Sequence, residues 1–391
     1  MTSPLSEQPR LRIAVLNRIF EASGGGAERY SIALVEQLSL RHEVHVFAQQ
    51  ISHDAPGVTY HQVSMPLRKP RWLNQLWYAF ATWRATRQGF DIVHSHENTW
   101  HGQVQTVHVL PVKYNLFHGR TGFKRVLRWV KVVTSPRLLT YLGLERARFR
   151  NEPTRRVVVT SDSLGDRMAA TYPETRTVTH VITPGVSLPD HPANDVEKSE
   201  ARSQLGLPPS GRCLLFVGND YRKKGLDTVL RALPSLPADV VLAVVGHPAQ
   251  IPAFKRQAEA EGVGTRVFFL GALQDVTPAY RAADGLVHPT LEDTFAMVVL
   301  EAMAHGLPVV VSSARYCGIS GLLSHGRNAL ILDDPRNAAF LADALHQVVH
   351  DTALQQRLGV LARTFASRYQ WQDIARQQEA VYYSSLAARP A

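Results

Sequence analysis

The chain has 391 residues, which is enough for two or three domains. Its content of 45% hydrophobic and 19% charged residues is typical of a folded globular protein and excludes a disordered one. No apolar run approaches the roughly 20 residues that span a bilayer, and residues 1–10 do not have the pattern of a secretory signal. The only two cysteines, Cys213 and Cys317, favour a reducing cytoplasm over a disulfide framework.

The net charge of +10 is distributed unevenly along the chain. Residues 66–150 contain 15 Lys or Arg and only three acids, so this segment carries +12 and the remainder about −2. Five of the six tryptophans also lie in it: Trp72, Trp77, Trp83, Trp100 and Trp129. A concentrated positive charge usually faces an anionic partner, and nucleic acid and an anionic membrane surface are both candidates.

Short apolar strands alternate with helical patterns from the first strand onward. The predicted strands of the first half are residues 11–17, 43–47, 91–95, 105–110 and 156–160. Those of the second half are residues 213–218, 240–246, 266–271, 285–289 and 307–312. Strands separated by helices form βαβ units and parallel sheets, so the two series predict an α/β protein with two doubly wound domains.

We place the domain boundary at Thr183-Pro184. The prediction is a Rossmann-like N-terminal domain at 1–183, a Rossmann-like C-terminal domain at 184–365, and a closing segment at 366–391 whose helix packs back toward the first domain. Polar residues 189–203 are predicted to be a linker or surface excursion. Ligands of parallel sheets bind beyond the carboxyl ends of the strands, which favours a site in a cleft between the two sheets.

The strongest motif extends over residues 288–308. A strand ends at Pro289, Asp293 has the character of a helix N-cap, and Gly306 ends the helix. Asp293 and Glu301 are eight residues apart, about 12 Å along a helix, which suits carboxylates on the sugar and on the ribose of a sugar nucleotide. First-turn N–H groups available to a ligand are predicted at Ala296, Met297 and Val298. The alternative is an ordinary N-cap followed by a surface glutamate.

A second motif at residues 216–227 combines a strand end, three consecutive cations and a helix opened by Gly225. Arg222, Lys223 and Lys224 at a helix N-terminus suit the charge of a diphosphate leaving group, and Lys224 is the main candidate. The chain contains no D-x-D tripeptide to hold a divalent metal, so we expect fixed cations to take that role. The alternative is a solvated basic loop.

Two weaker signals lie in the first half. Gly24, Gly25 and Gly26 follow the first strand and open a helix, where glycines allow a ligand to approach the backbone; a plain strand–helix turn is equally consistent with them. His108 lies toward the end of the predicted strand 105–110, where a lone histidine is often structural. His94 and His96 lack a third ligand, so we expect no metal site.

Residues 121–133 form an amphipathic pattern. Phe123, Val126, Leu127 and Val130 make one apolar stripe, and Lys124, Arg125, Arg128 and Lys131 lie off it. This is the pattern of a helix in a membrane interface, and the alternative is an ordinary surface helix packed on its domain.

These motifs resemble glycosyltransferase family 4. The 293–301 segment is similar to the family's E-x7-E signature, with Asp293 in place of the first Glu and Ala296 where the family usually carries Gly. The family resemblance also covers the "GGAER" loop, Lys224, His108 and the C-terminal "WQDIARQQEAVY". It implies a GT-B fold of two Rossmann-like domains facing a central cleft, and retaining, metal-independent transfer from a nucleotide sugar with no cofactor. It implies further that Lys224 binds the donor phosphate, that His108 contacts the reacting sugar, and that base contacts come from loops near His247 and Leu273. The domain at 1–183 would then bind the acceptor, and the domain at 184–365 the nucleotide sugar.

Four stretches, among them residues 141–149 and "VGNDYRKKG", resemble the subgroup that adds the first glucose to the inner-core heptose of lipopolysaccharide. This resemblance implies UDP-glucose as donor, a lipid-linked saccharide acceptor, and peripheral attachment to the cytoplasmic face of the inner membrane through segment 66–150. An exopolysaccharide hexosyltransferase and a GDP-mannose-dependent phospholipid mannosyltransferase are the alternative enzymes. A nucleic-acid-binding protein leaves the carboxylate pair unexplained, and a catalytically inactive nucleotide-sugar sensor is a third hypothesis.

Overall fold

The computed structural model describes residues 9–21 and 25–389, so Gly24 of the glycine motif lies outside the described residues. The chain forms two compact units. One comprises Met1–Thr183 with Trp371–Ala391, and the other comprises Pro184–Gln370.

The first unit is built on a seven-stranded parallel sheet in the order β5-β3-β1-β6-β7-β8-β9. Its strands, with a separate two-stranded pair β2-β4, are β1 Arg12–Leu16, β2 Ile19–Phe20, β3 Glu43–Ala48, β4 Gln50–Ile51, β5 Val58–Gln62, β6 Ile92–Ser95, β7 Val104–Val107, β8 Arg156–Val159 and β9 Thr179–Val181. Its first six helices are α1 Gly26–Ser39, α2 Arg71–Thr86, α3 Val112–Phe117, α4 Gly122–Val133, α5 Pro136–Arg148 and α6 Asp162–Thr171. Strands β6, β7 and β8 are buried over nearly their whole length, because a parallel sheet is covered by helices on both faces.

The second unit repeats this architecture with a six-stranded parallel sheet in the order β12-β11-β10-β13-β14-β15. Its strands are β10 Arg212–Val217, β11 Val240–Val245, β12 Val267–Gly271, β13 Gly285–His288, β14 Val309–Ser312 and β15 Leu330–Leu332. Its helices are α7 Asp195–Gln204, α8 Leu226–Ala232, α9 Ile251–Ala260, α10 Thr277–Ala282, α11 Met297–Ala304, α12 Ala338–His350 and α13 Thr352–Ala366. In both sheets the strand order reverses beside the first strand, which creates a topological switch point at β1/β6 and another at β10/β13.

The prediction of a linker at 189–203 is wrong for its second half. Residues from Asp195 onward form α7, and the Asn194 side chain accepts hydrogen bonds from the N–H groups of Val196 and Glu197. The Glu197 side chain in turn accepts from the N–H of Asn194, which completes a capping box. The polar composition of this segment suggested a linker, although Asn194 and Glu197 provide a local signal for the start of a helix.

The last helix, α14 Trp371–Ala387, belongs to the first unit and packs against α1. A polar contact fixes it there: His42 accepts a hydrogen bond at Nδ1 from the N–H of Leu11, so its Nε2 carries the proton toward Glu379, 3.0 Å away. Tyr382 of the same helix lies 2.7 Å from Nδ1 of His94. Residues 366–370 of the predicted closing segment precede this helix and belong to the second unit.

Candidate functional site

The switch point of the second unit brings together the two strongest motifs. The loop after β10 carries Lys224 and the loop after β13 carries Asp293, and the Nζ of the lysine lies 2.5 Å from Oδ2 of the aspartate. Gly225 permits this approach, because it has φ +84° and an added Cβ would lie 2.0 Å from the carbonyl oxygen of Pro289. Two parallel strands thus deliver a cation and a carboxylate to one edge of the sheet.

The Asp293 carboxylate is held in its charged form. Burial opposes ionisation, but His288, whose Nε2 lies 3.4 Å away, and the ammonium of Lys224 outweigh it and keep the pKa of the Asp293 carboxyl well below its usual range. Burial also lowers the pKa of His288, so its imidazole is neutral at physiological pH. His288 ends β13 and has no exposed surface.

The helix after Asp293 begins later than the sequence predicts. Asp293 is not the N-cap of α11: its Oδ1 accepts hydrogen bonds from the N–H groups of Phe295 and Ala296, and the helix starts at Met297. The N–H of Ala296 is therefore occupied, which corrects its predicted availability to a ligand. The N–H groups of Met297 and Val298 have no acceptor among the residues that the structure describes.

Ala296 adopts a left-handed conformation with φ +73°, the only non-glycine residue with positive φ in the described part of the chain. It is the N-cap position of α11 and is buried. Because three of the seven residues between the two carboxylates precede the helix, the 12 Å helical spacing of Asp293 and Glu301 does not apply.

Glu301 lies within α11 and is partly buried. The hydroxyl of Tyr280 donates a hydrogen bond of 2.6 Å to its Oε2, and the Tyr280 ring stacks on His305 at 5.2 Å. The carboxylate is thus oriented by a buried phenol.

The two other cations of the basic motif lie nearer the surface. Lys223 forms an ion pair of 2.5 Å with Glu292, in which both side chains are more than 40% exposed. The Arg222 side chain is exposed and forms no ion pair with any described residue. Of the three cations, only Lys224 pairs with a largely buried carboxylate, that of Asp293.

The switch point of the first unit joins the two weaker signals. Gly25 is the N-cap of α1 and Gly26 its first residue. Tyr30 of the same helix makes an edge-to-face contact with His108 at 5.0 Å, and His108 follows directly after β7. Gly25, Gly26 and His108 therefore lie toward the same edge of this sheet.

Sequence reasoning assigned no role to His288 or Tyr280, whereas Glu292 was considered as a neighbouring carboxylate that could substitute for Asp293. His288 stands in the "HPT" string at a strand end, which is a usable signal for a ligand-side residue. Tyr280 lies in α10, 21 residues before Glu301, and no local pattern links the two. Among the described residues, no three His, Cys, Asp or Glu side chains gather as a metal-ligand set.

Helix α4 exposes its apolar stripe instead of burying it. Phe123 is 73% exposed and Leu127 53% exposed, and Val132 is the only buried residue of the helix.

On α2 three further aromatic side chains are partly exposed in a row, namely Trp77, Phe80 and Trp83. None of the described helices combines the length and apolarity that crossing a membrane requires.

Comparison with known families matches both halves of the chain. Residues 24–189 match the family described as Glycosyltransferase Family 4, and residues 197–365 match Glycosyl transferases group 1. Among curated proteins, a D-inositol 3-phosphate glycosyltransferase of Xylanimonas cellulosilytica is 32% identical over 54% of this chain, and one of Nocardioides sp. is 31% identical over 59%. The chain spans about half the length of these relatives, 52% and 54% respectively.

Solved structures share the fold over nearly the whole chain. WaaG, a glycosyltransferase involved in lipopolysaccharide biosynthesis, superposes with a TM-score of 0.79 at 21% identity, covering 94% of this chain and 98% of WaaG. Sucrose-phosphate synthase of Thermosynechococcus elongatus gives 0.78 at 24% identity, covering 97% and 100%. Anabaena HepE in complex with UDP-glucose gives 0.76 at 19% identity, covering 96% and 100%. These similarities confirm the predicted fold class.

Proposed function

Since the chain belongs to the glycosyltransferases with the GT-B fold, we propose that it is a retaining, metal-independent hexosyltransferase that uses a nucleotide sugar, with UDP-glucose as the donor. The observation that carries this proposal is the pairing of Lys224 with Asp293 at the β10/β13 switch point. At that position the cation can bind the phosphate of a nucleotide sugar, and the carboxylate can bind its sugar.

The proposed roles follow from the charge of each group. Lys224, with Lys223 and Arg222 at its outer side, stabilises the leaving diphosphate, and the free N–H groups of Met297 and Val298 bind phosphate oxygens or sugar hydroxyls. Asp293, ionised and held by two backbone N–H groups, accepts hydrogen bonds from the sugar. In the first unit, Gly25 and Gly26 offer backbone to the donor and His108 contacts the reacting sugar.

Glu301 binds the ribose diol in this proposal. Its carboxylate accepts from Tyr280 and retains acceptor capacity for a second hydroxyl. Because a buried phenol orients this carboxylate, it is pre-organised for contact with the ribose.

In the proposed reaction the bond from the anomeric carbon to the diphosphate breaks through an oxocarbenium-like transition state. The acceptor hydroxyl forms the new bond on the same face, and its proton passes to the leaving phosphate oxygen, so the configuration is retained without an enzymatic nucleophile. The protein contributes position and electrostatic stabilisation. Lys224 lowers the energy of the developing negative charge.

For the acceptor we propose a lipid-linked saccharide, with heptose of the lipopolysaccharide core as its sugar, and attachment of the protein to the cytoplasmic face of the inner membrane. The exposed apolar stripe of α4, flanked by Lys124, Arg125 and Arg128, supports a membrane-bound acceptor. A second candidate is transfer to inositol phosphate, which the names of the matched relatives favour. A phosphorylated polyol in solution is an acceptor that needs no membrane contact, so it would not explain the exposed apolar stripe of α4.

A thermal-shift screen without added metal tests the donor. Ligands that bind the native state raise its melting temperature, and we expect a shift with UDP-glucose that exceeds those with GDP-mannose and UDP-N-acetylglucosamine. Glu301→Ala should abolish this shift, whereas Lys255→Ala, an exposed lysine of α9, should preserve it. A shift in Glu301→Ala equal to that of the wild type would refute the ribose assignment.

Product formation then separates the acceptors. With the donor that binds, we expect glucose transfer to heptose-bearing lipid and none to inositol 3-phosphate. The reverse result would establish the second candidate, and no transfer to either would refute both acceptor proposals.

A further inference from the structure

The motif at residues 141–149 lies at the end of α5 and carries two buried charged side chains that the proposed reaction does not use. Glu145 is 5% exposed and Arg148 is 7% exposed. Burying a charge is costly unless hydrogen bonds satisfy it, so the partners of these two side chains indicate what they do. All of those partners lie on the segments on either side of His108.

The Glu145 carboxylate holds the first turn of α3. Its Oε1 accepts a hydrogen bond of 2.6 Å from the N–H of Val112, and its Oε2 accepts one of 3.0 Å from the N–H of Lys113. The first N–H groups of a helix have no acceptor within the helix, and a negative charge beside them is stabilising. The hydroxyl of Tyr172 donates a third hydrogen bond, of 2.8 Å, to Oε2. Glu145 therefore fixes where α3 begins.

The Arg148 guanidinium holds β7, the strand before His108. Its Nε donates a hydrogen bond of 2.9 Å to Oε1 of Gln105, and its Nη2 donates one of 2.6 Å to the carbonyl oxygen of Thr106. A planar guanidinium that donates to two partners at once fixes the position of both. Arg148 and Glu145 lie three residues apart on α5, so one helix holds the end of β7 and the start of α3.

The loop between these two anchors consists of residues 108–111 and begins with His108, directly after β7. Within it, Leu110 is buried in an apolar cluster that includes Phe149 and Tyr172. Val109, in contrast, is 70% exposed. The loop is therefore fixed at both ends and at Leu110, and a displacement of either end would move His108.

We propose that Glu145 and Arg148 are positioning residues, which hold the two ends of the loop 108–111 and so fix the place of His108 beside the reacting sugar. This inference rests on the proposed function for the role of His108. Neither Glu145 nor Arg148 touches the substrate in this scheme. A purely structural pair would affect the melting temperature and leave the kcat of the folded protein unchanged.

Hydrogen exchange followed by mass spectrometry tests the anchoring of the loop without any activity measurement. In Glu145→Ala we expect the amides of Val112 and Lys113 to exchange at least about tenfold faster than in the wild type, because they lose their acceptor. Strand β3, three strands away from β7 in the sheet, should keep its exchange rate. Wild-type exchange at Val112 and Lys113 in this variant would overturn the proposal.

A kinetic double-mutant cycle, measured below the melting temperature of every variant, tests the consequence for the reaction. We expect Glu145→Ala to lower kcat about tenfold and to change the KM of the nucleotide sugar less than about twofold, because a misplaced group costs rate more than donor affinity. In a His108→Ala background the same change should have no further effect, because the residue that it positions is gone. Arg148→Lys, which keeps the charge but loses the two-point contact with β7, should follow the same pattern.

Additive losses for Glu145→Ala and His108→Ala would overturn the positioning role. If Glu145→Ala does not fold, Glu145→Gln replaces it in the cycle, since an amide retains one oxygen for one of the two N–H groups. We expect a smaller loss of kcat in this variant, which again disappears in the His108→Ala background. A wild-type kcat in Glu145→Gln, together with wild-type exchange at Val112 and Lys113, would equally overturn the proposal.

Glu379→Gln is the matched control. Glu379 is also a buried glutamate of the first unit, but its carboxylate pairs with Arg41 and His42 and not with the loop. Its replacement should lower the melting temperature and leave kcat within about twofold of the wild type. Equal losses of kcat in Glu145→Gln and Glu379→Gln would overturn the positioning role. If the wild type turned over no nucleotide sugar at all, the proposed function would fail, and the exchange rates would still decide whether Glu145 holds the loop.

Discussion

Lys224 and Asp293 neutralise each other, with side chains only 21% and 16% exposed. A bound diphosphate brings negative charge that competes for the same ammonium. The ion pair therefore keeps the lysine extended and oriented, and the donor needs no rearrangement of a disordered side chain to reach it.

The first prediction concerns Lys224. Lys224→Ala should lower kcat by about a hundredfold or more, since groups that stabilise charge at a transition state contribute on this scale. Affinity for UDP should weaken much less, because base and ribose contacts remain. Steady-state kinetics and calorimetric titration with UDP give the two values, and Lys255→Ala serves as control. An unchanged kcat in Lys224→Ala would contradict the leaving-group role.

The second prediction is the pH dependence at Asp293. A carboxyl whose pKa is lower in the folded state than the unfolded value of about 3.9 stabilises the fold above that value and loses this contribution as the pH falls toward the folded pKa. Asp293→Asn should therefore lower the free energy of unfolding by about 1–3 kcal/mol at pH 7. Urea titrations should show this difference shrinking below about pH 4.

Glu292→Gln is the matched control for that experiment. Its ion pair with Lys223 is largely exposed, so removal of its charge should change stability by less than about 1 kcal/mol. A difference between wild type and Asp293→Asn that stayed constant from pH 7 to pH 3 would contradict the assignment of the stabilising charge to Asp293.

At the scale of elements, the sequence predicts regular segments well and special backbone poorly. The ten predicted strands all occur, because apolar runs bounded by Gly and Pro specify buried parallel strands. The amphipathic pattern likewise predicted α4, and Gly225 the start of α8. Five strands were not predicted: β5, β9 and β15 lie at the edges of their sheets, where burial is incomplete, and β2 and β4 are only two residues long.

The start of α11 shows why the remainder escaped prediction. Asp293 has the usual N-cap chemistry, and its side chain does accept hydrogen bonds from backbone N–H groups. The helix nevertheless begins only after Ala296, whose φ is +73°. An alanine gives no signal of a left-handed turn, because that conformation is normally left to glycine. The position of Tyr280 beside Glu301 depends on tertiary packing in the same way.

The third prediction follows from Ala296. Left-handed backbone costs a residue with Cβ about 1 kcal/mol, so Ala296→Gly should raise the free energy of unfolding by about that amount. Ala302→Gly, buried in the regular part of the same helix, should lower it by about 1 kcal/mol. Urea denaturation of the two variants measures the contrast, and destabilisation by both would show that Ala296 is not strained.

At the scale of the whole molecule, two parallel sheets, each with a switch point beside its first strand, explain where the motifs lie. The loops with Lys224 and Asp293 follow the strands at one switch point, and Gly25, Gly26 and His108 lie beside the other. The sequence located these loops because the strands before them were predictable. The sequence analysis predicted that the last helix packs toward the first unit. The hydrogen bond between His42 and Glu379 that holds α14 there has no local sequence signal.

The surface charge of the first unit leads to the last prediction. Each basic residue near an anionic leaflet contributes about 1 kcal/mol of binding, so the four of α4 together provide about 4 kcal/mol. Replacing Lys124, Arg125, Arg128 and Lys131 by Glu should reduce partitioning onto vesicles of anionic phospholipid by at least about a hundredfold, as measured by co-sedimentation. The folding of the variant is checked by its melting temperature, which should change little because these side chains are exposed or nearly so.

The matched control reverses four exposed cations of the second unit that form no ion pair with any described residue: Lys255, Arg256, Arg327 and Arg357. It has the same net charge as the α4 variant, so it separates a local anchor from a general effect of charge. Retained binding by the control and lost binding by the α4 variant would identify α4 as the anchor, because its cations flank an exposed apolar stripe. Equal loss by both variants would show that net charge alone drives the attraction, and retained binding by the α4 variant would show that another surface of the protein contacts the membrane.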